Sequence, residues 1–140
     1  MLALLAAQEA AQAQKAFKVT AGPGTEKISV YRPGIAKPLL TQNAGATFRP
    51  YIHPITTPDG KGQLTQFSPG HHRHQTGLYW GLTRVNGRDY FHHPGEGYWK
   101  RISARIEQGE GPQVAWSTVY DMLGKDGSPI LTETQKWTMS

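Results

Sequence analysis

The amino-acid sequence predicts an all-β protein, an antiparallel β-sandwich of the galactose-mutarotase-like supersandwich type. The 140 residues include 16 glycines and 10 prolines, which favours short elements separated by turns. Beyond the first residues, apolar and polar residues alternate with a period of two, and no run shows the helical period. About nine short runs with turns roughly every 8–12 residues are typical of sandwiches and barrels.

The first residues are interpreted as a targeting segment. Residues 2–7 are apolar, and Ala11-Gln12-Ala13 fits the small-residue pattern of a signal-peptidase cleavage site. We therefore assign residues 1–13 to a signal peptide whose charged start lies upstream, which implies export to the periplasm or beyond. The alternative is a short helix rich in alanine and glutamine. No run reaches the ~20 apolar residues needed to span a bilayer, so no membrane span is expected.

Four extended segments are predicted in the first half of the chain: residues 16–19, 27–32, 39–42 and 47–55. The clearest is 27–32, which alternates fully and is ended by Pro33-Gly34. Pro50 and Pro54 favour an edge strand or an irregular crossing for 47–55, because proline cannot donate to a sheet ladder. Residues 57–62 form a strong turn pattern.

The second half predicts a hairpin followed by a meander. A strand at 76–83 and a return at 89–91 flank Asn86-Gly87, a strong hairpin signal. Three longer runs, 98–107, 113–122 and 130–139, are separated by glycine-containing turns. The last run continues almost to Ser140, so we expect an edge strand there. Residues 14–140 are accordingly interpreted as the N-terminal portion of a β-sandwich domain.

Charge and cysteine content restrict the function classes. The formal net charge is +5, but the basic residues are scattered along the chain in runs no longer than two. Nucleic-acid-binding proteins concentrate such charge on one face, so nucleic acid is not an expected partner. Because the chain has no cysteine, a metal would require histidine and carboxylate ligands.

The six histidines are the main candidates for chemistry: His53, His71, His72, His74, His92 and His93. If 71–74 enter the following strand, His72 and His74 point to one face. Such a pair can hold one divalent first-row metal, with His53 or His92 as third ligand and Asp89, Glu96 or Glu107 as carboxylate. Three alternatives stay open: this metal site, acid–base work without any cofactor, and a structural role.

Aromatic residues near these histidines suggest a sugar site. Sugar C–H faces stack on aromatic rings, and hydroxyls seek charged or polar partners. We assign the catalytic role to His72 and His74. The expected substrate-binding residues are His53, His71, Arg73, Tyr79, Trp80 and Asp89.

Four linked segments resemble the PmoA-like proteins of bacteria, often labelled "methane oxygenase". These segments are RPYIHP (49–54), TPDG (57–60), PGHHRHQTGL (69–78) and VNGRDY (85–90). The resemblance implies a mutarotase-like supersandwich about twice this length, acting on sugars with a histidine acid and a carboxylate base located beyond Ser140. The chain departs from the family pattern at three positions: His71 replaces an acidic residue, Gln75 a histidine and Thr76 an arginine.

Together these patterns predict a carbohydrate-active or carbohydrate-binding protein of the mutarotase-like class, with a histidine-lined cleft for a carbohydrate or another small polar ligand. The three imidazoles of His53, His72 and His74 are expected to line one pocket with Tyr79 or Trp80 on its wall. One alternative is a non-catalytic β-sandwich module for binding or structure. The other is a metal-dependent oxidase or oxygenase that uses histidine ligands.

Overall fold

A computed structural model describes residues 16–140, which form two antiparallel β-sheets packed against each other. The predicted all-β sandwich is therefore confirmed. Within the described residues, the one helical element is a short 3₁₀ turn at Pro23–Thr25. No helix among them is long and apolar enough to cross a membrane. The predicted signal peptide, residues 1–13, lies outside the described part of the chain.

The first sheet has six strands and the second has three. The strands are, in chain order, β1 Phe17–Ala21, β2 Lys27–Tyr31, β3 Leu40–Asn43, β4 Tyr51–Ile55, β5 Leu78–Tyr79, β6 Trp99–Gln108, β7 Glu110–Gly111, β8 Val114–Leu123 and β9 Pro129–Met139. Their order is β5-β4-β3-β2-β1-β7 in the first sheet and β6-β8-β9 in the second. Gly109 alone separates β6 from β7, so the chain passes between the sheets there. β9 lies at an edge of its sheet, as predicted.

The core lies between the two sheets and follows the two-residue period of the strands. On β8 every second residue is buried: Val114, Trp116, Thr118, Tyr120 and Met122. Val114 and Trp116 pack with five residues of the first sheet: Val19, Ile28, Val30, Leu40 and Ile52. Tyr120 and Met122 pack in a second cluster with Tyr90 and Trp99.

Strand β9 extends the inward face of β8 to the edge of the sandwich. Trp137 pairs with Trp116, Gln135 with Thr118, and Glu133 with Tyr120. Directly opposite residues of an antiparallel pair lie on the same face of the sheet. The side chains of Glu133, Gln135 and Trp137 therefore point towards the first sheet.

The region around the histidines differs from the prediction. The strand predicted at 76–83 is limited to Leu78–Tyr79. Residues 70–74 form a turn instead. In this turn the N–H of His72 donates to the carbonyl of Pro69 at 2.9 Å, and the N–H of Gln75 donates to the carbonyl of His72 at 3.0 Å. The prediction that His72 and His74 share a strand face is thus wrong, because Pro69-Gly70 starts a turn that continues through the histidines.

The predicted hairpin turn at Asn86-Gly87 and the predicted edge position of residues 47–55 hold in part. Asn86 and Gly87 both have positive φ, 47° and 74°, and Val85 pairs with Arg88, as expected of a tight hairpin turn. Strand β4 lies second from the edge rather than at the edge. Its neighbour β5 pairs only with Tyr51 and Ile52, so Pro54 lies beyond the paired part of this ladder.

Candidate functional site

Four histidines form a continuous row on the surface, which we call the histidine row: His71, His72, His74 and His92. Their ring centroids lie 4.8 Å apart for His71–His72, 5.9 Å for His72–His74 and 4.6 Å for His74–His92. His74 is half-buried and the other three are exposed. The turn thus brings together three predicted site residues, and a later loop adds His92, which the sequence had suggested only as an alternative metal ligand to His53.

Asp89 fixes the orientation of His92 at the end of this row. One carboxylate oxygen, Oδ2, lies 2.7 Å from Nδ1 of His92, and the other accepts the backbone N–H groups of Phe91 and His92, both at 3.0 Å. The backbone hydrogen bond from His92 is the largest of the effects that lower the pKa of Asp89. An ionised Asp89 favours the tautomer with a proton on Nδ1 of His92, which leaves Nε2 free to accept a proton or a metal.

His74 lies in the middle of the row and carries a lowered pKa. Loss of solvation lowers it most, followed by the positive charges of His92, His72 and Arg49. Because the ordinary pKa of histidine is about 6.5, His74 is neutral at pH 7. Its ring is therefore a base or a ligand rather than a cation under these conditions.

His53 does not join the histidine row. Its Nδ1 lies 2.9 Å from Oγ1 of Thr65, its ring packs against Phe67, and burial lowers its pKa. A shallow pocket of about 490 Å³ lies between His53 and the histidine row. Thr65, the partner of His53, forms one wall, and Phe91, whose ring packs against that of His74, forms another. The expected single pocket of His53, His72 and His74 is not formed. Residues 16–140 contain no group of three or more histidine, aspartate or glutamate side chains that could hold a metal.

Arg49 lies beneath the histidine row and is fully buried. It donates to the carbonyls of His74 at 2.7 Å and of Phe91, and more weakly to Oγ1 of Thr76 at 3.3 Å. Burial lowers its pKa to about 10, so the guanidinium remains charged at neutral pH. One cation therefore ties the turn at His74 to the loop that follows Asp89.

A larger groove opens between the edge strands of the two sheets, and we call it the sandwich groove. Its volume is about 600 Å³. One wall is formed by Trp80, Gly81 and Leu82, and the other by strand β9 from Leu131 to Trp137. Trp80, one of the predicted substrate-binding residues, is 62% exposed on the first wall. None of the described histidines lines this groove.

The polar groups of the sandwich groove are connected along β9. Nε1 of Trp137 donates to Oε1 of Gln135 at 3.3 Å, and Nε2 of Gln135 donates to Oε1 of Glu133. Burial raises the pKa of Glu133, while the hydrogen bond from Gln135 and the charge of Arg49 oppose this rise. The arrangement places a partly buried carboxyl group, with its orientation fixed, in the groove.

The remaining predicted residues divide between these two places. Tyr79 contacts Arg49 and Phe91, on the side of the histidine row. Arg73 is exposed in the histidine turn. Sequence reasoning did not single out Glu133 and Gln135, because polar residues occupy both faces of β9.

Comparison with known protein families places most of the chain in a family. The model of a family of unknown function, DUF6807, matches residues 30–140, a range that includes both the histidine row and the sandwich groove. No curated protein and no solved structure matches the chain significantly.

Proposed function

The chain belongs to the DUF6807 family, whose function is unknown, and we propose that it is a carbohydrate-binding protein whose ligand lies in the sandwich groove. The observation that carries this proposal is the exposed ring of Trp80, which faces the polar residues Glu133 and Gln135 across the groove. An exposed indole beside buried polar groups suits a sugar, whose C–H face stacks on the ring while its hydroxyls bind carboxyl and amide groups.

The size and lining of the groove support a small ligand. Its volume of about 600 Å³ lies within the range of roughly 300–1,000 Å³ that is usual for small-molecule sites. Leu82 and Leu131 add apolar surface on opposite walls, and both side chains are partly exposed. Such a lining combines apolar area with a few polar groups that fix the ligand's orientation.

The hydrogen bonds on β9 prepare the polar side of the site. Because Trp137 occupies Oε1 of Gln135, the amide nitrogen of Gln135 must face Glu133. That nitrogen has a second hydrogen, and Glu133 has a second oxygen, so one donor and one further oxygen remain for sugar hydroxyls. Groups that are already oriented lose little conformational entropy on binding, which favours affinity.

Binding of neutral monosaccharides and disaccharides, followed by isothermal titration calorimetry, tests the proposal. Trp80→Ala should weaken the affinity at least tenfold, because the stacking surface is lost. Phe67→Ala is the matched control: Phe67 is also an exposed aromatic residue, but it packs on Tyr51 and His53 away from the groove. Equal affinities of wild type and Trp80→Ala, or no binding of any sugar tested, would contradict the proposal.

A second candidate function, histidine-dependent catalysis, is favoured by the Asp89–His92 hydrogen bond. A carboxylate that orients an imidazole is usual both behind metal ligands and behind catalytic bases. The resemblance to PmoA-like proteins supports sugar chemistry of this kind. The histidines could act as metal ligands or as catalytic bases without a metal. Elemental analysis of protein purified without chelator distinguishes these two forms of the second candidate function. A stoichiometric first-row metal that is lost in His74→Ala and His92→Ala, but retained in His93→Ala, would support the metal form.

A further inference from the structure

We propose that Glu133 is protonated when the sandwich groove is occupied and donates a hydrogen bond to a sugar oxygen, so that carbohydrate binding takes up a proton. The proposal rests on the proposed function and deepens it, because it assigns one residue as the determinant of how the sugar is bound. It follows from the position of Glu133, its hydrogen bonds and the charges that face it.

The position of Glu133 makes its hydration sensitive to a ligand. Its side chain points between the sheets, beside the buried Tyr120, and lies on the groove wall opposite Trp80 and Leu82. It is half-buried, so the groove provides its contact with water. A sugar stacked on Trp80 would displace that water, and loss of water disfavours the charged form of a carboxyl group.

The hydrogen bond from Gln135 favours the ionised carboxylate, but it engages only one of the two oxygens of Glu133. Gln135 donates to Oε1 of Glu133, and its own oxygen is occupied by Trp137. In the protonated carboxyl, Oε1 is the acceptor for Gln135 and Oε2 carries the proton. The O–H group then points to the groove as a donor that an ionised glutamate does not have.

The charges around Glu133 do not hold it firmly in the ionised form. The charge of Arg49 acts on it, but Arg49 directs its N–H groups to the carbonyls of His74 and Phe91. Within residues 16–140, the single ion pair in contact is Asp89–His92. On β8, Tyr120 donates its hydroxyl to the carbonyl of Gly45 at 2.8 Å, and Lys136 is exposed at the groove's rim.

The balance of these effects raises the pKa of Glu133 above its ordinary value. Burial raises the pKa of Glu133 more than the Gln135 hydrogen bond and the Arg49 charge lower it. A ligand that covers the groove strengthens the dominant effect and leaves the other two unchanged. The pKa of Glu133 should therefore rise further on binding, and the sugar affinity should fall as the pH increases through this pKa.

Calorimetry of a neutral sugar in two buffers of different ionisation enthalpy measures the proton uptake directly. Above the ordinary glutamate pKa of about 4.3, the wild-type protein should take up a fraction of a proton per sugar bound. Glu133→Gln should show none, and its affinity should be independent of pH. Glu107→Gln is the control, because Glu107 is exposed on β6 and accepts a hydrogen bond from Oγ of Ser117 at 2.7 Å. It should retain the uptake.

The outcomes of these experiments distinguish failure of the proton-uptake inference from failure of the proposed sugar binding. Sugar binding that depends on Trp80 but shows no proton uptake, or uptake that persists in Glu133→Gln, would overturn this inference and leave the proposed function intact. Absence of binding to every sugar would overturn both. Should Glu133→Gln fail to fold, carboxyl ¹³C resonances of the wild type with and without sugar replace it, and an unchanged pKa of Glu133 would refute the inference.

Discussion

The guanidinium carbon of Arg49 lies 3.5 Å from the centre of the Tyr79 ring. From this position Arg49 holds the backbone carbonyls of His74 and Phe91, which belong to two different loops. The residue after Tyr79 is Trp80, which lines the sandwich groove. One buried cation therefore connects the histidine row with the strand that supports the groove.

Replacement of Arg49 should strongly destabilise the fold. Arg49→Met leaves partly buried carbonyl groups of His74 and Phe91 without donors, and each such loss costs about 1–3 kcal/mol. We expect the free energy of unfolding, measured by urea denaturation, to fall by about 3 kcal/mol or more. Arg73→Met, at an exposed position in the histidine turn, should change it by less than about 0.5 kcal/mol. Similar losses for both variants would contradict the role given to Arg49.

Gly77 should tolerate no side chain. Its φ is 97°, and an added Cβ would lie 2.3 Å from the carbonyl oxygen of Ile52 and 3.0 Å from Cβ of His53. Gly77→Ala should therefore lower the free energy of unfolding by about 2–4 kcal/mol, through backbone strain and the clash with β4. Gly70→Ala is the control, because nothing lies within 4 Å of its added Cβ. A melting temperature of Gly77→Ala equal to that of wild type would show that β5 does not pack against β4 as closely as described.

The strands were predictable where one face is buried. Residues 113–122 alternate because β8 covers the core with every second side chain, and a local period of two records that burial. The segment 76–83 was predicted too long. Gly77 and Gly81 lie against the backbone or side chains of Ile52 and Phe91, and such close packing depends on tertiary contacts rather than on local pattern.

The candidate site was predictable only in its residue types. The spacing of His72 and His74 suggested a strand face, whereas a turn brings their rings together and His92 joins them from a loop much later in the chain. Glu133 was missed because its position in the groove depends on the β8–β9 register and on Trp80, which directly follows β5 of the other sheet. Neither relationship leaves a local signal in the sequence.

Removal of His92 should raise the pKa of His74. Loss of solvation is the main cause of the lowered pKa of His74, but the positive charge of His92 is the second. In His92→Gln this repulsion is lost, so His74 should bind its proton at higher pH. Imidazole resonances followed by NMR across the titration measure the shift. His93→Gln is the control, because His93 stacks on Tyr98 outside the row. An equal shift in both variants would show that His92 does not act on His74.

The pH dependence of stability provides the last test, and it can be made without any ligand. The folded-state pKa of Glu133 is raised, chiefly by burial, above the value of about 4.3 expected for the unfolded chain. Its contribution to stability is therefore fully present below about pH 4.3 and is lost as the pH rises through the folded-state pKa, because the unfolded chain ionises first.

Asp59, Asp89 and Asp126 act in the opposite direction, since hydrogen bonds lower their pKa values and their contributions are lost as the pH falls. The informative quantity is therefore the difference in unfolding free energy between wild type and Glu133→Gln, measured by urea denaturation from about pH 3.5 to 7. As the pH rises, the free energy of unfolding of the wild type should fall relative to that of Glu133→Gln. A difference that is independent of pH would mean that Glu133 is as well solvated in the groove as in the unfolded chain.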